Sequence, residues 1–189
     1  GGTTAAGGGA QGGSTARGGA ASGGMSNPTL VNPSFESSLT GWTIDPPDAG
    51  PSGKRYVYTQ APTDSSKPPN GSQELATWHD KDSYQVTVSQ TLRGLKDGIY
   101  TFQGYFSSDR SGGTFIFARN CGGADREVQV PTTSWTWFTF GIKDIHVSGG
   151  SCEVGIRVIG APNDYLNADM FTFEMNPEGA GGAGGAGGA

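Results

Sequence analysis

The chain predicts an all-β fold: a sandwich of two antiparallel sheets with jelly-roll connections. Three observations carry this. Apolar and polar residues alternate with period two through most of the central section, the mark of a strand with one buried face. The alternating runs are short, evenly spaced and separated by Gly, Pro, Asn and Asp. No stretch of about ten residues or more shows the spacing of an amphipathic helix.

The elements follow in chain order. "LVNPSFESSLTGW", Leu30 to Trp42, reads as the first strand, coming straight after a Gly-rich lead-in and ending on a Gly41-Trp42 turn. Thr43 to Asn70 is rich in Pro, so long loops surround a single strand, "RYVYTQ". Such loops on a rigid sandwich are natural places for recognition. Asn70-Gly71-Ser72 fits the N-glycosylation pattern, which is common by chance. In "YQVTVSQTL", Tyr84, Val86, Val88, Gln90 and Leu92 share one face. Lys96-Asp97-Gly98 then leads to Tyr100, Phe102 and Phe106 on one face, and Asp-Gly between alternating runs predicts a hairpin. "TFIFARN" and "REVQV" follow as short strands, the second ended by Pro131. After "WTWFTFGI", Ser148-Gly149-Gly150 marks a turn before Cys152, Val154, Ile156 and Val158 on one face. "YLNADMFTFEM" is the last strand; if regular, it places Asp169 on the face of Phe171 and Phe173.

Composition divides the chain into three. Residues 1–24 and 178–189 hold 18 of the 34 glycines and no aromatic residue, so they read as linker and Gly/Ala tail. Residues 25–177 carry all four Trp, six Tyr and nine Phe, enough for the core of one domain. A net charge of −5 disfavours nucleic acid or an anionic membrane as partner. No apolar run approaches the length of a transmembrane helix, and no signal peptide is evident, so the chain reads as a mature product or a piece of a longer protein. Cys121 and Cys152 flank strand-like runs, which admits one disulfide in a secreted protein or two buried thiols. With His79 and His146 at no ligand spacing, they do not suggest zinc.

Among the acids, Asp169 beside two phenylalanines needs compensation, because an unpaired buried carboxylate is costly. First and last strands of a sandwich often lie side by side. That would bring Glu36 to Asp169 and make an oxygen site suited to Ca²⁺; the alternative is that Asp169 caps a turn or pairs with a Lys or Arg. Glu74, Asp80 and Asp82 are close in sequence, but no motif organises them as a glycosidase pair. Nothing reads as a nucleophile elbow, a zinc-protease helix or a phosphate loop, so independent catalysis is not expected.

The runs "VNPSFE…GW", "VSQTLRGLKDGIYTF", "WTWFTFGIKDIHVSGGSCEVGIRV" and "NDYLNADMFTFEM" resemble carbohydrate-binding modules of the galactose-binding-domain-like sandwich type. "FARNCGG" and the "VSGGSCEVGI" run point to the galactan-binding family 61 modules attached to endo-β-1,4-galactanases. The resemblance covers Leu30 to Met175. It implies a structural Ca²⁺ held by Glu36, Asp169 and loop carbonyls around Ser52–Lys54. It also implies a secreted, non-catalytic, monomeric module that holds a glycoside hydrolase on plant polysaccharide, most directly β-1,4-galactan. Xylan or β-glucan is the second choice of ligand, and a structural or adhesion role without sugar is the third reading.

A sugar site combines a flat aromatic ring, stacked on the C–H face of a pyranose, with planar polar groups that read hydroxyls. Trp78, in the polar stretch "TWHDKDS", is the first candidate for the ring, then Tyr165, then Trp137; Trp42 and Trp135 read as core or rim packing. Arg119 and Asn120 at a strand end, Arg157 on an outward strand face, and Arg55, His79 and Asn163 in loops are the polar candidates.

Overall fold

The structure, a computed structural model, describes residues 1–2, 28–62, 71–108, 113–133 and 135–177. Residues 3–24 and 178–189 of the expected linkers, and Asn70 of the glycosylation pattern, lie outside the described residues. Among those described, the strands are β1 (Thr43–Asp45), β2 (Val57–Gln60), β3 (Glu74–Trp78), β4 (Tyr84–Arg93), β5 (Gly98–Ser108), β6 (Thr114–Arg119), β7 (Arg126–Gln129), β8 (Phe138–Val147), β9 (Ser151–Gly160) and β10 (Tyr165–Met175). They form two five-stranded antiparallel sheets, ordered β1-β4-β9-β6-β7 and β2-β3-β10-β5-β8. The all-β sandwich read from the sequence is what the chain forms.

Alternation places the core. Tyr84, Val86, Val88 and Leu92 of β4 turn inward with Cys152, Val154, Ile156 and Val158 of β9. They meet Tyr100, Phe102 and Phe106 of β5 and Leu166, Ala168, Phe171 and Phe173 of β10 from the other sheet. The aromatic layer packs closely: Phe102 stacks on Phe171 at 5.5 Å and Tyr100 on Phe173 at 4.8 Å. Gly104 makes room for it, since a Cβ there would lie 2.7 Å from the Phe171 ring.

Three expectations need correction. First, the segment from Leu30 to Trp42 is not a strand. Asn32, Phe35 and Ser38 have φ of 49°, 58° and 57°, which a strand cannot hold. Asn32 braces the loop from within, its Nδ2 donating to the Ser38 carbonyl at 2.7 Å and its Oδ1 accepting the Ser37 N–H at 3.0 Å. The Gln90 amide ties the loop to β4, accepting the Val31 N–H at 2.9 Å and donating to the Val31 carbonyl at 2.7 Å. Phe35, fully buried, stacks on Trp42 at 5.2 Å and meets Phe171 edge-on at 5.9 Å. The first strand of the sandwich is β1, immediately after this plug.

Second, Asp97-Gly98 does not close a hairpin. β4 and β5 belong to different sheets, so their apolar faces bury one another across the core rather than pairing edge to edge. Ser148–Gly150 likewise carries the chain from β8 to β9 across the sandwich. The two crossings brace each other: the Gly149 N–H donates to Asp97 Oδ1 at 3.1 Å and the Leu95 N–H to the Gly150 carbonyl at 3.1 Å.

Third, β10 is not regular. Its pairing with β5 shifts between Asp169 and Thr172, and Met170 has a φ of 49°. This bulge reverses which face each residue takes. Before it, Leu166 and Ala168 point inward; after it, Phe171 and Phe173 do. Asp169 therefore lies on the face opposite the two phenylalanines. The Phe171 N–H donates at 3.0 Å to the Pro33 carbonyl of the opening loop.

The Cys121 and Cys152 sulfurs are bonded, joining the residues after β6 to the start of β9. Packing at Gly104 is testable. Gly104→Ala should lower unfolding free energy by about 1–3 kcal/mol in urea melts, because the added Cβ would come within 2.7 Å of the Phe171 ring, itself packed against Phe35, Trp42, Phe102 and Phe106.

Candidate functional site

β2, β3 and β10 are neighbours, and period two decides what each turns outward. Val57, Leu75, Leu166 and Ala168 enter the core. Tyr58 and Gln60, then Ala76 and Trp78, then Tyr165 and Asn167 therefore share the outward face. Register sets Trp78 opposite Tyr165, and Ala76 between Tyr58 and Asn167. The small Ala76 leaves a dip among larger neighbours. Trp135 enters from a turn with φ 71° and stacks on Tyr165 at 4.1 Å, with 26° between the rings. Asn163 arrives from the loop before β10, its N–H donating to the His79 carbonyl at 2.7 Å.

The result is a cleft of about 230 Å³ lined by Tyr58, Gln60, Trp78, Trp135, Asn163, Tyr165 and Asn167. Trp78 is 40% exposed and Trp135 53%. Two large rings held this open on one cleft wall are poorly explained by packing alone. The polar members are carboxamides and phenols, so no lining side chain is an ordinary cation or anion. Gln60 Nε2 donates to Glu74 Oε1 at 2.9 Å, which orients the amide. Burial pushes the Tyr58 phenol up, with Arg55 opposing and Glu74 adding to it. Tyr58 is thus a neutral O–H donor at neutral pH.

Of the residues singled out from the sequence, Trp78, Tyr165 and Asn163 come together here. Trp137 is half-buried ahead of β8 and is not part of the lining. Arg55 reaches the cleft only through its charge on Tyr58. His79 shapes the adjoining turn, its Nδ1 accepting the N–H groups of Lys81 at 3.2 Å and Asp82 at 2.9 Å.

Arg119, Asn120 and Arg157 lie on the other sheet. Phe115 and Phe117 of β6 turn outward there, and Arg157 and Arg119 lie over their rings at 4.3 and 4.0 Å. Both guanidiniums also hold Glu127 of β7, Arg119 at 2.8 Å. Arg157 first, then Arg119, keeps the Glu127 carboxyl below the ordinary range. Asn120 donates its N–H to Asp125 Oδ1 at 2.9 Å. These three residues brace the first sheet and are not brought to the cleft.

Tyr58, Gln60 and Asn167 are lining residues that the sequence reading passed over, and Trp135, read there as core or rim packing, is an exposed lining residue. A usable signal existed for each. Tyr58 and Gln60 alternate with Val57, Asn167 alternates with Leu166 and Ala168, and Trp135 follows the polar run Thr132-Thr133-Ser134.

Glu36 and Asp169, the expected calcium ligands, are differently engaged. Glu36 is exposed, and both its oxygens accept from the next loop: the Ser72 N–H at 3.0 Å, the Gln73 N–H at 3.1 Å and the Ser72 hydroxyl at 2.9 Å. Asp169 is fully buried, its Oδ1 accepting the Met170 N–H at 2.7 Å. Among the described residues no group of three or more His, Cys, Asp or Glu side chains is placed to hold a metal ion. In this arrangement loop donors hold the Glu36 carboxylate and the Met170 N–H holds Asp169.

Solved structures that share this two-sheet sandwich include carbohydrate-binding modules. The chain is similar to the solved module TmCBM61 in complex with β-1,4-galactotriose, with a TM-score of 0.68 and 24% identity over 79% of this chain and 99% of that one. A family 16 carbohydrate-binding module gives a TM-score of 0.51 at 17% identity, over 77% of this chain and 98% of that one. A cyclase from Fischerella sp. TAU shares the fold too, at a TM-score of 0.56 and 14% identity over 78% of this chain and 96% of that one. No protein-family profile and no curated protein matches the sequence.

The Glu36 clamp has a pH signature. The N–H donors of Ser72, then of Gln73, hold its carboxyl below the ordinary value, so its stabilising effect is present above that value and is lost as pH falls through the depressed one. Exposure screens the charge. Glu36→Gln should therefore cost less than about 1 kcal/mol at neutral pH. Thermal melts of the two proteins should converge as the solution is acidified below about pH 4.

Proposed function

We propose that the chain is a non-catalytic carbohydrate-binding module whose cleft takes a neutral, hydroxyl-rich glycan, with β-1,4-galactan as first ligand. One observation carries this: Trp78 and Trp135 stand exposed beside half-buried Tyr165, around carboxamide side chains. Rings supply flat apolar surface for the C–H face of a pyranose, whereas Gln60, Asn163 and Asn167 offer directed donors and acceptors to its hydroxyls. Likeness to the galactotriose-bound module supports galactan over xylan or β-glucan.

The lining also argues against a glycosidase. Such chemistry needs two carboxyl groups flanking the scissile bond, and the residues around this cleft supply amides and phenols. In a secreted polysaccharide-degrading enzyme, such a module would raise the effective concentration of an attached catalytic domain at its substrate. The structural Ca²⁺ implied by the resemblance stands as a separate proposal. Binding would require the Ser72 and Gln73 donors to leave Glu36. A melting midpoint that falls when a chelator is added would support it; an unchanged midpoint would leave Glu36 as a loop clamp.

Native affinity electrophoresis in galactan should retard the chain. Trp78→Ala and Trp135→Ala should each weaken binding at least about tenfold, near 1.4 kcal/mol, while Arg157→Ala on the other sheet leaves it unchanged. Failure of galactan, xylan and β-glucan alike to retard the folded protein would overturn the sugar-binding reading and favour an adhesion role. Because Tyr58 stays a phenol and the amides do not titrate, calorimetric affinity should be flat between about pH 6 and pH 9.

A further inference from the structure

We propose that the ligand is an extended chain whose further sugar rings lie in a second groove on the same sheet face, across β5 and β8. This rests on the sugar-binding reading of the cleft. The groove, about 340 Å³, is lined by Thr101 and Gln103 of β5 and by Thr139, Phe140, Gly141 and Lys143 of β8.

Register joins the two. Asn167 belongs to the cleft, and the next outward residue on β10 is Asp169, which pairs with Tyr105. Tyr105 pairs on its other side with Thr139, and the next outward residue on β5 is Gln103, which pairs with Gly141. Cleft and groove are thus parts of one outward face, with half-buried Tyr105 between them. Sheet spacing puts Asn167 and Gln103 roughly 14 Å apart. A few linked rings span that distance; a single ring does not.

The chemistry of the groove favours the same class of ligand. Gly141 leaves its floor flat, since a Cβ there would lie 2.5 Å from the Gln103 Cβ. Thr101, Gln103 and Thr139 offer hydroxyl and amide groups, and Lys143 is the one cation in the lining. A protein partner would call for larger apolar anchors, and a nucleic acid for several cations. Neutral polar groups on a flat floor suit the hydroxyls of the polysaccharide already held at Trp78 and Trp135.

Calorimetry with β-1,4-linked galacto-oligosaccharides of increasing length tests this. Affinity should rise at least about tenfold between galactotriose and the longest soluble member. A Gln103→Ala, Thr139→Ala double variant, with its fold checked by thermal melt, should lose that gain while keeping galactotriose affinity within about twofold. A plateau at galactotriose, or wild-type binding of long chains by the double variant, would overturn the groove and leave the cleft standing. Binding of no member at all would overturn the cleft reading and this one with it.

Discussion

The bulge in β10 is the constraint on which both core and cleft depend. A strand of strict period two cannot send Leu166 and Ala168 inward and also bury Phe171 and Phe173. One irregular step at Met170 resolves this by changing the parity of the strand. The first half of β10 then presents Tyr165 and Asn167 to the cleft, while the second half gives the core two of its phenylalanines. A bulge disrupts the local ladder, and the structure repairs it with another part of the chain: the Pro33 carbonyl accepts the Phe171 N–H. The opening loop is therefore held where β10 is weakest, and it brings Phe35 and Trp42 onto the Phe171 ring.

This explains what was legible in the sequence. Sheet class and the buried faces of β4, β5 and β9 follow from alternation, because those strands keep period two over the stretches that matter. Partnership between strands is less local. Asp97-Gly98 has the chemistry of a hairpin, but turn chemistry only reverses the chain; whether the next strand pairs or crosses depends on which arrangement buries its aromatic face. For β5, with Tyr100, Phe102 and Phe106 on one side, the opposite sheet wins. Leu30–Trp42 misleads for a related reason. Its Phe, Leu and Trp are core residues, yet Asn32, Phe35 and Ser38 hold them on left-handed turns rather than in a strand.

The candidate site was partly legible for the same physical reason. Trp78 and Tyr165 stand out because large rings in polar surroundings need an explanation beyond packing. Arginines are harder to read. Arg119 and Arg157 sit where a ligand-binding arginine could sit, but Phe115 and Phe117 face outward on the same sheet and need cover. A guanidinium over each ring shields that apolar surface, and Glu127 pairs with both. The decision between ligand and cover rests on which way β6 faces. Its inward set is Thr114, Ile116 and Ala118, so its phenylalanines face away from the core.

The two sheets thus divide the work. One outward face is closed by cation–π contacts and ion pairs that satisfy each other. The other leaves aromatic rings exposed and lines its cleft with amides and phenols. Fold alone would not distinguish these roles, since a cyclase shares the sandwich with sugar-binding modules. The chemistry of the open face supports the sugar-binding reading. A charged partner would find little to pair with among Gln60, Asn163 and Asn167, and a purely apolar one would strand their polar groups. A pyranose offers an apolar C–H face and a rim of hydroxyls at once, so it matches both halves of this surface.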